Sequence, residues 1–359
     1  MTTAHPFGGR RLPVAVLGAT GTVGQLFIRL LADHPWFRVT TVAASERSAG
    51  RPFAEAATWH EGTIPADVAP LVVKRCDPAE VTERVVFSAL DSAAALAVEP
   101  EFARAGAVVL SNAKSYRMAE DVPLLIPEVN ADHLGLIDVQ RTNRGWHGAI
   151  VTNPNCSTIN IVMAIAPLHR AFGLRKLFAV TMQAISGAGY PGVASLDILG
   201  NVIPFIGDEE PKVETEPQKL LGDFDGERVR MAPFVTSAQT NRVAVRHGHT
   251  ACLSMAFERH PHEDEALAVL RDWPGGIAHL GLPTAPPTPL VVHEAENRPQ
   301  PIKDVDRDAG MSVHVGRVRP DPLFDLRLVC MGHNVMRGAA GASVLNAELM
   351  AVRGLLAGA

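Results

Sequence analysis

Two groups of residues in this chain have the types and spacing for chemistry. The first is Asn153-Pro154-Asn155-Cys156-Ser157-Thr158, which runs into the apolar stretch INIVMAIAPLHRAF. Polar residues ahead of an apolar run mark a helix start. Unsatisfied N–H groups and the helix dipole at such a start favour a thiolate, so Cys156 is a candidate nucleophile. A lone cysteine is otherwise a small buried apolar residue, and the remaining three fit that description. Cys252 and Cys330 lie in strand-like apolar runs and Cys76 lies beside a turn. A catalytic thiol needs a base, and among the 14 histidines the local setting favours His249, in Arg242-Val243-Ala244-Val245-Arg246-His247-Gly248-His249. Arg242 and His249 are seven positions apart, so an unbroken strand would turn them to opposite faces, and a turn at Gly248 is needed to bring both to one cleft. His247 competes for the role. His260 and His262, near Glu263 and Asp264, raise the question of a metal, but no HExxH pattern is present and a solvated loop is the simpler reading.

The second group is Gly18-Ala19-Thr20-Gly21-Thr22-Val23-Gly24, a GxxGxxG variant of the dinucleotide fingerprint. Between a strand and a helix, such a turn lets backbone approach a pyrophosphate whose charge then sits at the helix amino terminus. The second strand runs into Ser45-Glu46-Arg47-Ser48. Arg47 with two hydroxyls suits a 2′-phosphate and points to NADP; if Glu46 faces the ribose instead, NAD is preferred.

The elements that must position these groups follow from periodicity. Val14–Leu17 reads as a strand, and the segment after the glycine turn as a helix, with Val23, Leu26, Phe27, Leu30 and Leu31 at helical spacing and Pro35 as its stop. Further strands are expected at 39–44, 85–90 and 107–111, with a helix over 93–105. Alternation of this kind predicts a doubly wound parallel sheet. After residue 150 the pattern changes. Strand-like runs at 176–184, 242–257, 288–293 and 311–331, separated by long connections, predict an α+β domain with a mixed or antiparallel sheet. GLPTAPPTP (281–289) is too rich in proline for either element, and the alanine-rich tail reads as a closing helix.

At 359 residues the chain has room for about two domains. Apolar residues make up 47% and charged residues 20%, which excludes general disorder. A net charge of -5 argues against a nucleic-acid or membrane-surface footprint, leaving small metabolites as ligands. Four scattered cysteines argue against a disulfide framework and suit the reduced cytoplasm. The amino terminus lacks an apolar signal segment, and no run reaches the roughly 18 apolar residues of a membrane span.

Taken in order, several motifs resemble the aspartate-semialdehyde dehydrogenases, in particular their archaeal and fungal branch. These are GATGTVGQ (18–25), ASERSAGR (44–51), SNAKSYR (111–117), NPNCST (153–158), QAISGAGYPGV (183–193), DEEPKVETEPQKLLG (208–222), NRVAVRHGHT (241–250) and GHNVMRGAAGASVLNAE (332–348). The resemblance implies a Rossmann-type NADP-binding domain over 1–153, joined by a carboxy-terminal helix within 335–359, and a catalytic and dimerisation domain over 154–334. It implies Cys156 as the acyl-accepting nucleophile, His249 as acid/base and Gln183 as the residue orienting the cysteine and substrate. Arg242 would grip the substrate's α-carboxylate and Glu209 or Glu210 its α-ammonium. Arg117, Asn155 and Lys212 would form the phosphate site. For the cofactor it implies Gly18, Thr20, Gly21 and Val23 at the pyrophosphate, Ser45, Arg47 and Ser48 at the 2′-phosphate, Ser186 and Gly187 elsewhere along the dinucleotide, and Asn334 near the nicotinamide, with no metal.

The expected reaction is the reversible, NADP-dependent reductive dephosphorylation of 4-phospho-L-aspartate to L-aspartate 4-semialdehyde and phosphate, through a cysteine thioacyl intermediate. The expected assembly is a homodimer or homotetramer. A related acyl-CoA reductase acting on malonyl-CoA shares the cysteine chemistry, and an NADP-binding regulator without catalysis shares the fold. An α-ammonium partner and a complete Cys, Gln, Arg and His set favour the first reading.

Overall fold

The computed structural model describes residues 5–356, so the outermost ends of the expected domains, 1–4 and 357–359, lie outside it. The amino-terminal half builds a six-stranded sheet from β1 (Leu12–Leu17), β2 (Phe37–Ala44), β3 (Lys74–Arg75), β4 (Val85–Ser88), β5 (Val108–Ser111) and β6 (Ala149–Thr152), in the order β3-β2-β1-β4-β5-β6 and parallel throughout. Both faces of such a sheet are covered, which explains its unbroken β-branched and aliphatic runs. Thr22–Ala32 buries Leu26, Phe27, Ile28 and Leu31. Ser92–Arg104 starts at Asp91, whose side chain accepts the N–H groups of Ala93 and Ala94. The strand order reverses between β1 and β4, and such a switch point opens the crevice where ligands bind.

The second sheet runs β10-β7-β11-β14-β13-β12 and is mixed. Its members are β7 (Leu174–Gln183), β10 (Val235–Arg242), β11 (His249–Phe257), β12 (Leu290–Val292), β13 (Val313–Pro320) and β14 (Leu326–Gly332); a small hairpin, β8 (Asp223–Phe224) and β9 (Val229–Arg230), stands apart. Helices Cys156–Phe172, Glu209–Leu220 and Glu263–Arg271 cover one face. From Ile159 to Leu168 every residue of the first is buried. The other face carries Phe178, Val235 and Cys252, all exposed.

Two predicted runs divide. The stretch 242–257 is interrupted between Arg242, where β10 ends, and His249, where β11 begins. Gly248 makes that turn at φ +99°. The stretch 311–331 is the β13–β14 pair, and 281–289 contains no strand. The tail begins as a wide turn over Met336–Ala340 and continues as the helix Gly341–Val352. It returns to the first core, where Val344, Leu345, Leu349 and Met350 pack with Val14 and Phe27. Glu348 of this helix is buried and paired with His34 at 2.8 Å.

Candidate active site

Cys156 is the first residue of its helix, directly after β6. The Asn155 side chain caps the helix, accepting from the N–H groups of Ser157 (2.9 Å) and Thr158 (3.1 Å). The ends of four strands converge here. Gln183 is the last residue of β7 and Arg242 the last of β10, paired in register; His249 opens β11, and Asn334 follows the end of β14. Thr22 and Val23 after the glycine turn, with Gln183, Arg242 and Asn334 from these ends, wall a cleft of about 1670 Å³ that also contains Cys156, Glu209, Lys212 and Arg117, while His249 lies behind Gly187, outside its lining.

Glu209 ties the polar side chains together. One of its oxygens accepts from Asn155 Nδ2 (2.8 Å) and Gln183 Nε2 (3.1 Å), and the other pairs with Lys212 Nζ (3.1 Å). Glu210 points elsewhere and accepts the N–H of Thr240. Of the two adjacent acids, Glu209 is the one in the cleft. Arg242 is buried and donates to the Ala184 carbonyl (2.8 Å), with no ion-pair partner among the described residues. Its planar fork is open to an incoming carboxylate.

The thiol differs from the sequence-based expectation. Burial, followed by the nearby Glu209 carboxylate, pushes Cys156 up to about 12, against the opposing pull of Arg117, Lys212 and Arg242. Cys156 is half-buried at the cleft wall, and burial and the Glu209 carboxylate favour the protonated thiol there. His249 is buried and held neutral, its pKa far below the usual imidazole range through desolvation and then through Arg242 and His333. Its Nδ1 accepts from the Ala184 N–H (3.0 Å), so the neutral ring carries its proton on Nε2, a buried atom without a partner. The competitor His247 instead binds Ser186 Oγ (3.0 Å) and stacks on His333. Asn334 donates to the same hydroxyl (2.8 Å) and accepts the Gly248 N–H (3.0 Å). Gly187 lies so close to Arg242 and His249 that a Cβ would sit 2.8 Å from atoms of each.

The glycine turn fits a dinucleotide. Gly18 has φ +69°, and a Cβ on it would lie 2.6 Å from the Ala89 carbonyl oxygen. A Cβ on Gly24 would lie 2.2 Å from the Gly18 carbonyl oxygen, so this residue lets helix and turn pack closely. Gly21 precedes the helix, and no side chain caps its first turn, where Thr22 and Val23 line the cleft. Ser45, Arg47 and Ser48 lie at the end of β2, outside that cleft wall; Ser45, Glu46 and Arg47 are all exposed. This surface is next to the turn, since the Ala19 N–H donates to the Ala43 carbonyl.

His260 and His262 are exposed; the first pairs with Asp325 and the second caps the helix Glu263–Arg271. Among the described residues the close grouping of possible metal ligands is instead His293, Asp304 and His314. Its two rings share a 3.0 Å hydrogen bond and its carboxylate is taken by Arg298. Sequence reasoning missed Glu216 and Lys219, two buried charges beneath the cleft. The signal was present, because each lies seven residues after Glu209 or Lys212 and therefore on the same helix face.

A glycine turn at the switch point of a parallel sheet, opening onto a cleft that holds a helix-start cysteine, defines a nicotinamide-dinucleotide-dependent dehydrogenase. The model of the semialdehyde dehydrogenase NAD binding domain matches residues 13–137, and that of the semialdehyde dehydrogenase dimerisation domain matches 165–337. The aspartate-semialdehyde dehydrogenase of Archaeoglobus fulgidus is 52% identical over 95% of this chain and 98% of its own length. That of Schizosaccharomyces pombe is 45% identical over 96% and 99%. The crystal structure of the Candida albicans aspartate semialdehyde dehydrogenase with NADP superposes with a TM-score of 0.86 at 40% identity, covering 95% of this chain and 98% of that one. This chain belongs to the aspartate-semialdehyde dehydrogenase family.

Proposed function

We propose that this chain catalyses the NADP-dependent interconversion of 4-phospho-L-aspartate and L-aspartate 4-semialdehyde plus phosphate. The observation that carries this reading is the placement of Cys156 between a carboxylate, Glu209, and three cations, Arg117, Lys212 and Arg242, in one cleft. That charge pattern matches a substrate with an ammonium, a carboxylate and a phosphate. Arg242 takes the α-carboxylate by its fork and Glu209 the α-ammonium. Arg117, Lys212 and Asn155 hold the phosphoryl group. A thioester substrate has no ammonium for Glu209, which argues against CoA as the leaving group.

Gly18, Thr20, Gly21 and Val23 would hold the pyrophosphate of NADP, Ser45, Arg47 and Ser48 its 2′-phosphate, and Ser186, Gly187 and Asn334 the remainder toward the nicotinamide. The bound cofactor supplies or accepts the hydride. In the biosynthetic direction Cys156 Sγ attacks the acyl carbon, the bond to the phosphate oxygen breaks, and the thiol's proton leaves with the phosphate. The residues at this centre then hold the acyl group as a thioester, and the Cys156 N–H, the first-turn donor that the Asn155 cap does not take, stabilises the oxygen as it gains charge, at about 3 kcal/mol. His249 Nε2–H, without a partner in the free protein, would donate to that oxygen once the acyl group is in place. Proton uptake by this ring requires it to release the Ala184 N–H, which narrows the expected acid/base role to that of a donor in the first step.

The division at 153/154, with 335–359 returning to the dinucleotide domain, is part of the same reading. A dimerisation domain is present in the chain, and the open face of the second sheet suits a second copy of it. No helix among the described residues is long and apolar enough to cross a membrane. With its cysteines unpaired, we place the protein in the cytoplasm.

The test is an assay with aspartate semialdehyde, NADP and phosphate, repeated with CoA in place of phosphate and with NAD in place of NADP. Phosphate-dependent NADPH formation is expected, with neither replacement supporting comparable turnover. Cys156→Ala should abolish it while leaving NADPH binding nearly unchanged. Full turnover by that variant, or turnover with CoA but not phosphate, overturns the reading.

A further inference from the structure

Glu216 and Lys219 sit on the buried side of the helix Glu209–Leu220, and neither lines the cleft. Glu216 reaches both domains. One of its oxygens accepts from Arg117 (3.0 Å), and the other accepts the backbone N–H of Asn155 (2.7 Å), the residue before the nucleophile. Lys219 Nζ donates to the carbonyls of Arg117, Ala119 and Val122 at 2.7 to 2.8 Å, which spends all three of its donors on one loop. Arg117 is 8% exposed, and besides Glu216 its guanidinium binds only the Asn112 carbonyl (2.8 Å), while Nε is buried and unpartnered.

Arg117 comes from the loop after β5 in the dinucleotide domain, and Cys156 from the start of the second domain. A phosphate-binding cation supplied across such a junction needs a fixed distance to the sulfur, because displacement of a phosphate demands that leaving group and nucleophile keep register. We infer that Glu216 and Lys219 are positioning residues that fix Arg117 relative to Cys156 and thereby set the affinity for the phosphate group. The inference rests on the proposed function.

The test separates the two halves of the oxidative reaction. Semialdehyde and NADP alone give one equivalent of NADPH per site as the thioester forms, and phosphate is needed only to release it. In Glu216→Gln the amide oxygen keeps the Asn155 contact while the acceptor for Arg117 is lost. The NADPH burst should keep its amplitude, while the KM for phosphate rises about tenfold or more. Glu216→Ala, which drops both contacts, should also slow the burst. Lys219→Met acts on the loop from its other end and should reproduce the raised phosphate KM, which decides the matter should the Glu216 variants fail to fold. Adding Glu216→Gln to Arg117→Ala should change the phosphate KM no further. A phosphate KM within about twofold of the parent in the folded variants, or burst and phosphate step falling in equal proportion in Glu216→Gln and Lys219→Met, overturns the inference. Absence of phosphate-dependent turnover in the parent protein would instead overturn the proposed function.

Discussion

Cys156 combines opposing influences, burial and the Glu209 carboxylate against the cations Arg117, Lys212 and Arg242, and the first two prevail. The consequence is measurable without turnover. Alkylation of the free protein at Cys156 by iodoacetamide should accelerate about tenfold per pH unit up to pH 10 without levelling. A thiol activated by the helix dipole alone would plateau near neutrality, and such a plateau would contradict the desolvated setting. The sequence made the identity of this cysteine legible through Asn155 and the polar residues after it. It could not reveal how far the thiol is raised, which depends on the charge of Glu209 and on walls contributed by distant segments. Likewise the pair Glu209-Glu210 is indistinguishable in one dimension. The helix phase separates them, turning Glu209 to the cleft and Glu210 to the β10 backbone.

At the scale of elements, the strand-turn-helix of the dinucleotide half was legible because its apolar runs are short and bounded by glycine and proline. The helix Glu209–Leu220 was not. Its buried stripe is Glu209, Val213, Glu216, Pro217, Lys219 and Leu220, half of it ionisable, so a reading based on apolar periodicity takes it for a solvated charged stretch. The helix Ser92–Arg104 holds a similar concealed charge. Glu99 is fully buried beneath the parallel sheet, donated to by Ser111 Oγ at 2.7 Å, and burial raises it to about 7. A carboxyl raised in the folded state binds more protons there than in the unfolded chain. Stability is therefore fully retained below about pH 4.5, falls as pH rises toward 7, and stays lowered above, by up to about 3 kcal/mol. Glu99→Gln should flatten this slope and raise the denaturant midpoint at pH 8 above that of the parent. An unchanged midpoint at pH 8, with the slope intact, would show that the carboxyl ionises at its ordinary value.

For the molecule as a whole, the two-sheet architecture followed from the change of pattern near residue 150 and the turn at Gly248 from the spacing of Arg242 and His249, but the ordering of the second sheet depends on non-local pairing. The open face of that sheet, with Phe178 and Val235 exposed, continues toward the segment where Ile203 bridges to Arg242 and Leu199 and Phe205 stand out to solvent. The proposed pairing of two copies through this face predicts an oligomer for the parent and monomers for Phe178→Glu combined with Val235→Lys in light scattering; an oligomer retained in the variant would place the contact elsewhere.

The carboxy-terminal helix has its own implication. Ribosomal synthesis delivers the parallel strands first and the helix that completes their core last, with the entire second sheet in between. The dinucleotide fold therefore waits until the second sheet has been synthesised. A nascent chain released short of Gly341 carries every strand of that sheet and exposes the surfaces that Val344, Leu345 and Leu349 were to cover, making it a target for chaperones rather than an autonomous nucleotide-binding unit.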